Sequence, residues 1–286
     1  ISGRASDAGN AINAAYSPWI DATREDAAKV YAMIIDPSLR IRAEEKDFSL
    51  LETRLKDTMS QWNGDWSLYF EDYETGQSIS INSHQVYSAS LIKMFIAYAL
   101  YDGMEKGTIS ENGSVTDHIR KMITYSDNDS WSYLARVLGG GVYSRGMAKM
   151  TDIAQANGFK DTGTFYKGTH RNYNFTSVND CGAFLSRLLD GGIVSREYSK
   201  KLLDLLKAQQ HLHKIPSGVP DNIVTANKTG ELDYIQGDAA IVYAPAGTYI
   251  LVIIGDSLTN SYGQVDKFTT LSKMVYDYLH LEENNS

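Results

Sequence analysis

Ser90-Leu91-Ile92-Lys93 sets a hydroxyl and an amine three residues apart. On a helix that spacing puts both side chains on one face, within reach of each other. A serine hydroxyl is a poor nucleophile until a nearby base can take its proton. Here the lysine stands in an apolar run that continues through Met94, Phe95, Ile96, Tyr98 and Leu100. An unpaired ammonium is costly there, and a lysine withdrawn from water, or set near other cations, has a lowered pKa and is suited to act as that base. The start of a buried helix adds the positive end of its dipole and the Ser90 backbone N–H, both able to stabilise an oxyanion. Taken alone the pair is a weak signal, since helices contain such pairs by chance.

Two further groups carry the same kind of chemistry. Ser126-Asp127-Asn128 opens a second helical stretch, Ser130 to Ala135. A polar trio at a helix start is most simply a cap. Lys228-Thr229-Gly230 ends an apolar strand and is followed by Glu231. The glycine leaves room for a substrate backbone to approach, and the lysine is able to bind a carboxylate.

The elements that must position these groups change period along the chain. Residues 1 to about 20 are rich in Ala, Ser, Gly and Asn and read as a spacer. Asp21 to Ile35 has Ala27, Val30, Tyr31 and Ile34 at helical spacing, and Pro37 ends it. Residues 1–45 are thus expected to form an N-terminal extension. Phe48 to Trp62 is a second helix with Leu50, Leu51, Leu55 and Met59 on one face, broken by Asn63-Gly64. Trp66 to Phe70 and Ser78 to Ile81 alternate about Glu74-Thr75-Gly76 and predict a β-hairpin. A mainly helical region runs from Ser90 to about Leu206. Strands return at Ile223 to Lys228, Asp238 to Tyr243 and Tyr249 to Ile254, the last two separated by Pro245-Ala246-Gly247. A closing helix, Val265 to Leu281, turns Phe268, Leu271, Met274, Val275 and Tyr278 to one side. The fold class expected is α+β. One antiparallel sheet is assembled from both ends of the chain (46–89 and 207–286) and flanked by N- and C-terminal helices, with a helical lobe (90–206) between them. Together residues 46–286 would form the catalytic domain, its site in the cleft between the lobes.

In this order the three motifs resemble the Ser-x-x-Lys, Ser-Asp-Asn and Lys-Thr-Gly signature of class A β-lactamases and penicillin-binding proteins. The resemblance runs from about Phe48 to Leu281. It includes the Asp72-Tyr73-Glu74-Thr75-Gly76 hairpin, Ile215-Pro216-Ser217-Gly218 and Asp238-Ala239-Ala240. It implies a β-lactamase/transpeptidase-like fold and a serine hydrolase that forms an acyl-enzyme. Ser90 would attack the carbonyl and Lys93 would take its proton. Ser126 would relay a proton to the leaving nitrogen, and Asn128 would hold Lys93 and the substrate amide. Lys228 and Thr229, next to Gly230, would bind the substrate carboxylate. The backbone N–H groups of Ser90 and Glu231 would form the oxyanion hole, and Asp127 would tie its loop down.

The sequence departs from that family in one loop. Efficient class A enzymes carry a glutamate there, which activates the water that clears the acyl-enzyme. The corresponding stretch, Thr162 to Ser177, contains no Asp or Glu; His170 is a possible substitute base. Acylation followed by slow deacylation is therefore expected. The substrate would be a small-molecule β-lactam or a cell-wall peptide. The alternatives are a D-Ala-D-Ala peptidase or amidase, and a covalent β-lactam sensor that is acylated once. Because the family's substrates lie outside the cytoplasmic membrane, an extracellular or cell-envelope location is expected, linked to antibiotic response. The sequence contains no signal peptide, and a membrane tether would lie outside it.

Composition narrows the field further. With 43% apolar and 22% charged residues the chain reads as an ordinary globular protein rather than a disordered one. A net charge of −8, a pI near 5.3 and the lack of a basic stripe exclude a general nucleic-acid binder. The single cysteine, Cys181, forbids an internal disulfide and reads as a small buried residue. No metal or other cofactor is expected, since His211-Leu212-His213 has no supporting cluster and reads as a surface helix end. Tyr166, Tyr173 and Tyr234 are packing residues by default, with the cleft as the alternative.

Overall fold

In the computed structural model of the 286-residue chain, residues 47–166 and 172–283 are described. The expected extension 1–45 with its helix, and His170, lie outside them. Alternation builds the central sheet. Strands β1 (Asp65–Asp72) and β2 (Ser78–Ile81) form the predicted hairpin. At its turn Asp72 Oδ1 accepts from the backbone N–H groups of Glu74 and Thr75, and Gly76 supplies a positive φ of 72°. The other strands come from the far end of the chain: β6 (Val224–Leu232), β7 (Ile235–Ala244) and β8 (Gly247–Asp256). All pair antiparallel in the order β2-β1-β8-β7-β6.

β7 and β8 read as nearly continuous apolar runs because both faces of the sheet are covered. In β8, Tyr249, Leu251 and Ile253 face one hydrophobic cluster, while Ile250, Val252 and Ile254 face the other. The first cluster packs beneath helix α1 (Ser49–Ser60) and the C-terminal helix α8 (Val265–Glu283). Within α1 the spacing of four puts Leu51, Leu55 and Met59 on the buried ridge; Leu50, assigned to that face from the sequence, is half exposed. The second cluster joins the sheet to the helical lobe. That lobe contains α2 (Ile92–Glu105), α3 (Gly113–Thr124), α4 (Asn128–Leu138), α5 (Tyr143–Ala156), α6 (Val178–Leu189) and α7 (Arg196–Lys207). α2 is buried nearly all round, as its unbroken apolar run requires. Cys181 of α6 is buried, and burial pushes its thiol up to about 12.

One element differs from the sequence expectation. The stretch read as a family loop contains two strands, β4 (Gly163–Tyr166) and β5 (Asn172–Thr176). With β3 (Val86–Tyr87) they make a second antiparallel sheet ordered β3-β5-β4. The apolar positions that hold it are few: Phe175 stacks on Tyr87 at 4.8 Å and meets Phe165 at 6.0 Å. β5 also fixes the approach to Ser90, since the Ser88 N–H donates to Asn174 O at 3.0 Å.

Candidate active site

Ser90 does not begin an α-helix. It sits in a 3-10 turn, Ala89–Leu91, that leads into α2 at Ile92. Ala89 has a φ of 45°, a left-handed conformation that a side-chain-bearing residue rarely holds and that clusters at functional sites. Three residues on, Lys93 lines the same cavity as Ser90 and Asn128. Its side chain is almost wholly buried, at 1% exposure. Lys93 Nζ donates to Ser126 O at 2.6 Å, to Asn128 Oδ1 at 2.7 Å and to Ser126 Oγ at 3.2 Å. Burial pulls the Lys93 pKa down to about 8, against a smaller opposing pull from Asp127.

The Ser126-Asp127-Asn128 trio divides its work between cap and site. Asp127 is the N-cap of α4, its carboxylate accepting from the Ser130 N–H at 2.7 Å. The Ser130 side chain first, and that backbone bond second, hold its carboxyl below the usual range. Ser126 is forced to a φ of 57° just ahead of the cap, which directs both its carbonyl and its hydroxyl at Lys93. From β6, Lys228 Nζ reaches the same hydroxyl at 2.9 Å and its own neighbour's carbonyl, Thr229 O, at 2.8 Å. Lys228 is fully buried; burial first and the charge of Lys93 second drive its pKa well below the ordinary lysine value.

β6 is placed against the Ser90 turn at the one point where it has no side chain. A Cβ on Gly230 would meet Ser88 O at 3.1 Å and both Ala89 Cβ and Leu91 Cγ at 3.2 Å. Two cavities meet at Ser90. One, of about 290 Å³, is lined by Tyr87, Lys93, Asn128, Trp131, Tyr173, Asn174, Glu231 and Leu232 among others. The other, of about 310 Å³, is lined by Tyr125, Ser126, Asn128, His211, Thr229, Glu231 and Tyr262. Ser90, Lys93, Ser126, Asn128, Thr229 and Glu231 thus converge on one cleft, with Lys228 directly behind it.

Several residues at or behind the cleft, Lys214 foremost, were given no part in the site from the sequence. Lys214 is fully buried and donates to Gly230 O at 3.2 Å and Gly237 O at 3.1 Å, with Glu231 Oε1 at 3.1 Å. Gly230 and Gly237 face each other across the β6–β7 ladder, so Lys214 ties both strands at the level of the cleft. Burial lowers its pKa, opposed by Glu231 and Asp238. Asp238, paired with Thr229 in register, is buried and accepts from the Ile215 N–H and from Asn227 Nδ2, both at 3.0 Å; burial raises it to about 6. His211 and His213 lie beyond the end of α7 at the cleft, not on a plain surface helix end: His211 lines the second cavity and His213 Nε2 lies 3.2 Å from Glu231 Oε1. Trp131 closes the first cavity with its ring 5.9 Å from Lys93 Nζ. Tyr173 lines that cavity, Tyr234 packs edge-on against Tyr87, and the Tyr166 side chain lies outside the described residues. The cleft was the alternative placement named for Tyr173; for Asn174 the available signal was the short period-two alternation Asn172-Tyr173-Asn174-Phe175. Lys214 gave none, because a lone lysine before Ile-Pro has no local mark of burial. Among the described residues no group of three or more His, Cys, Asp or Glu side chains is arranged to hold a metal ion.

Among solved structures, PBP-A is 22% identical with a TM-score of 0.73, over 84% of this chain and 99% of that one. A PBP-A variant solved as an acyl-enzyme complex with penicillin G matches at the same identity and TM-score, over 83% of this chain and 99% of that one. A β-lactamase from Sphaerobacter thermophilus is 18% identical with a TM-score of 0.70, over 82% and 99%. These likenesses show the fold, α+β and β-lactamase-like. Among curated proteins no sequence matches. The sequence profile of the β-lactamase enzyme family matches residues 50–116 and 110–279, most of the length, and the chain belongs to that family.

Proposed function

We propose that this protein is a serine acyl-enzyme hydrolase in which Ser90 is the nucleophile. The supporting observation is the continuous chain Lys93–Ser126–Lys228, bonded at 3.2 and 2.9 Å through one hydroxyl. A lysine with a pKa near 8 is neutral often enough at physiological pH to take the Ser90 proton. Ser126, bonded to both amines, is the natural carrier of that proton to the leaving nitrogen. The carbonyl oxygen, as its charge develops, would sit between the backbone N–H groups of Ser90 and Glu231, a stabilisation worth ~10² to 10³ in rate per donor. Asn128 holds Lys93 and is free on its amide side to meet the substrate. Thr229, on the wall of the second cavity, would meet the substrate carboxylate, with Lys228 behind it.

Release of the acyl group is the weak half of this mechanism. Thr162 to Ser177 carries no carboxylate. The carboxylate that does line the cleft, Glu231, feels burial raising its pKa, but Lys214 and His213 outweigh this and hold it below the usual value. That makes it a poor base. Losing a positioned general base costs ~10² to 10⁴ in the step it serves. A β-lactam such as the penicillin G held by the PBP-A variant would therefore acylate Ser90 and leave slowly. The missing carboxylate equally favours a covalent β-lactam sensor acylated once, while a D-Ala-D-Ala peptidase would use the same machinery on cell-wall peptide. Each role places the protein outside the cytoplasmic membrane. Paired assays separate them: a chromogenic cephalosporin and a D-Ala-D-Ala peptide are each given to the protein and to Ser90→Ala. Slow cephalosporin turnover that Ser90→Ala abolishes is expected. Sustained turnover in Ser90→Ala would overturn the assignment of the nucleophile. Rapid peptide release by the unmodified protein would make the peptidase reading the right one.

A further inference from the structure

The charges around Ser90 are arranged in depth. Lys93, Lys214 and Lys228 are all buried, at 1%, 0% and 0% exposure. Lys228 lines neither of the two cavities that meet at Ser90. The side chain of Glu231, in contrast, is 34% exposed and lines both. Its two partners, Lys214 Nζ and His213 Nε2, approach the same oxygen, Oε1, at 3.1 and 3.2 Å. Lys214 approaches from the protein interior, where it also holds Gly230 O and Gly237 O. Among the described residues, the ionisable groups lining the first cavity, tyrosines aside, are Lys93 and Glu231, and those lining the second are Glu231 and His211. The ionic pair is therefore a dipole with its positive end inside the protein and its negative end in the cleft.

This reading rests on Ser90 as the nucleophile. The Glu231 side chain grows from the residue whose N–H would hold the oxyanion, so any substituent next to the attacked carbonyl passes it, whichever cavity it enters. In the first cavity it also meets the rings of Tyr87, Trp131 and Tyr173, whose faces attract cations. We infer that Glu231 is a specificity-determining residue, and that the cleft selects acyl donors with a cationic group, an ammonium or amidinium, beside the reacting carbonyl.

Three penicillins with the same nucleus test this, differing only in a side-chain ammonium, a neutral group or a carboxylate. The nuclear carboxylate they share cancels in the comparison. The rate of Ser90 acylation, followed by intact mass, is expected to fall in the order cationic, neutral, anionic, with at least a tenfold span between the ends, the size of effect a unit charge near a protein surface exerts. The span should collapse to below about threefold in Glu231→Gln and persist in Glu231→Asp, since the charge and not the shape is responsible. Equal rates in the unmodified protein, or the same span in Glu231→Gln, would overturn the inference while leaving Ser90 as the nucleophile. Calorimetric binding of the same three compounds to Ser90→Ala reads the charge preference without any covalent step. A cation preference there, with no adduct on the unmodified protein, would sustain the role of Glu231 and sink that of Ser90; no preference there would count against Glu231.

Discussion

Ser126 carries two lysines on one hydroxyl, and that crowding is the centre of the proposed chemistry. Burial lowers both amines, and at Lys228 the charge of the neighbouring Lys93 adds to that lowering. The sign of the pH dependence follows. Below its pKa of about 8 Lys93 is mostly ammonium and has no lone pair for the Ser90 proton; above it the free base dominates. The rate of acylation should therefore climb about tenfold per pH unit up to about pH 8 and then level off. Stopped-flow or quenched mass measurements across that range would show it, and a flat profile from about pH 6 upward would mean that Lys93 is not the base. The residue types were legible in the sequence, since three short motifs in one order are hard to meet by chance. What no motif revealed was strain. Ala89 and Ser126 hold left-handed backbone beside the two reactive hydroxyls, a conformation imposed by the packing of the turns rather than by the residues' own preferences.

At the scale of elements, the decisive contact is between β6 and the turn that carries Ser90. Gly230 lets the strand approach until the missing Cβ would lie 3.1 Å from Ser88 O. Gly230→Ala would push β6 away, and with it the Glu231 N–H proposed to complete the oxyanion hole. Acylation should slow by ~10² or more, the cost of losing one such donor, while the thermal midpoint changes by only a few degrees. An acylation rate within about twofold of the parent would contradict the assigned donor. Lys214 holds the same strand from the other side. The five strands of the main sheet were readable because their alternation or apolar runs are long and bounded by turns. Those of the small sheet were not. β3 is two residues long and β5 is mostly polar, so their pairing is decided by Tyr87, Phe165 and Phe175 in three dimensions. For the same reason Leu50, adjacent to the buried ridge of α1, was placed on the wrong face.

Across the whole molecule, one sheet has a hydrophobic cluster on each face, and the reactive groups gather where its β6 edge meets the helical lobe. The proposed nucleophile comes from the 3-10 turn before α2 and its lysine from the first turn of α2, the proposed relay from the loop before α4, and the strand of Gly230 and Glu231 from the far end of the chain. This long-range assembly is why the motifs lie so far apart in sequence and so close in space. It also separates the two halves of the reaction. The groups proposed to acylate lie on well-packed elements, whereas the segment expected to supply water activation, Thr162 to Ser177, carries no carboxylate. The most direct test is an intact-mass time course with a penicillin, followed by peptide mapping. The account predicts a stoichiometric adduct of the mass of the whole drug, located on Ser90, absent in Ser90→Ala, and persisting long after free drug is removed. An adduct on another residue, or rapid repeated hydrolysis with no adduct accumulating, would contradict it.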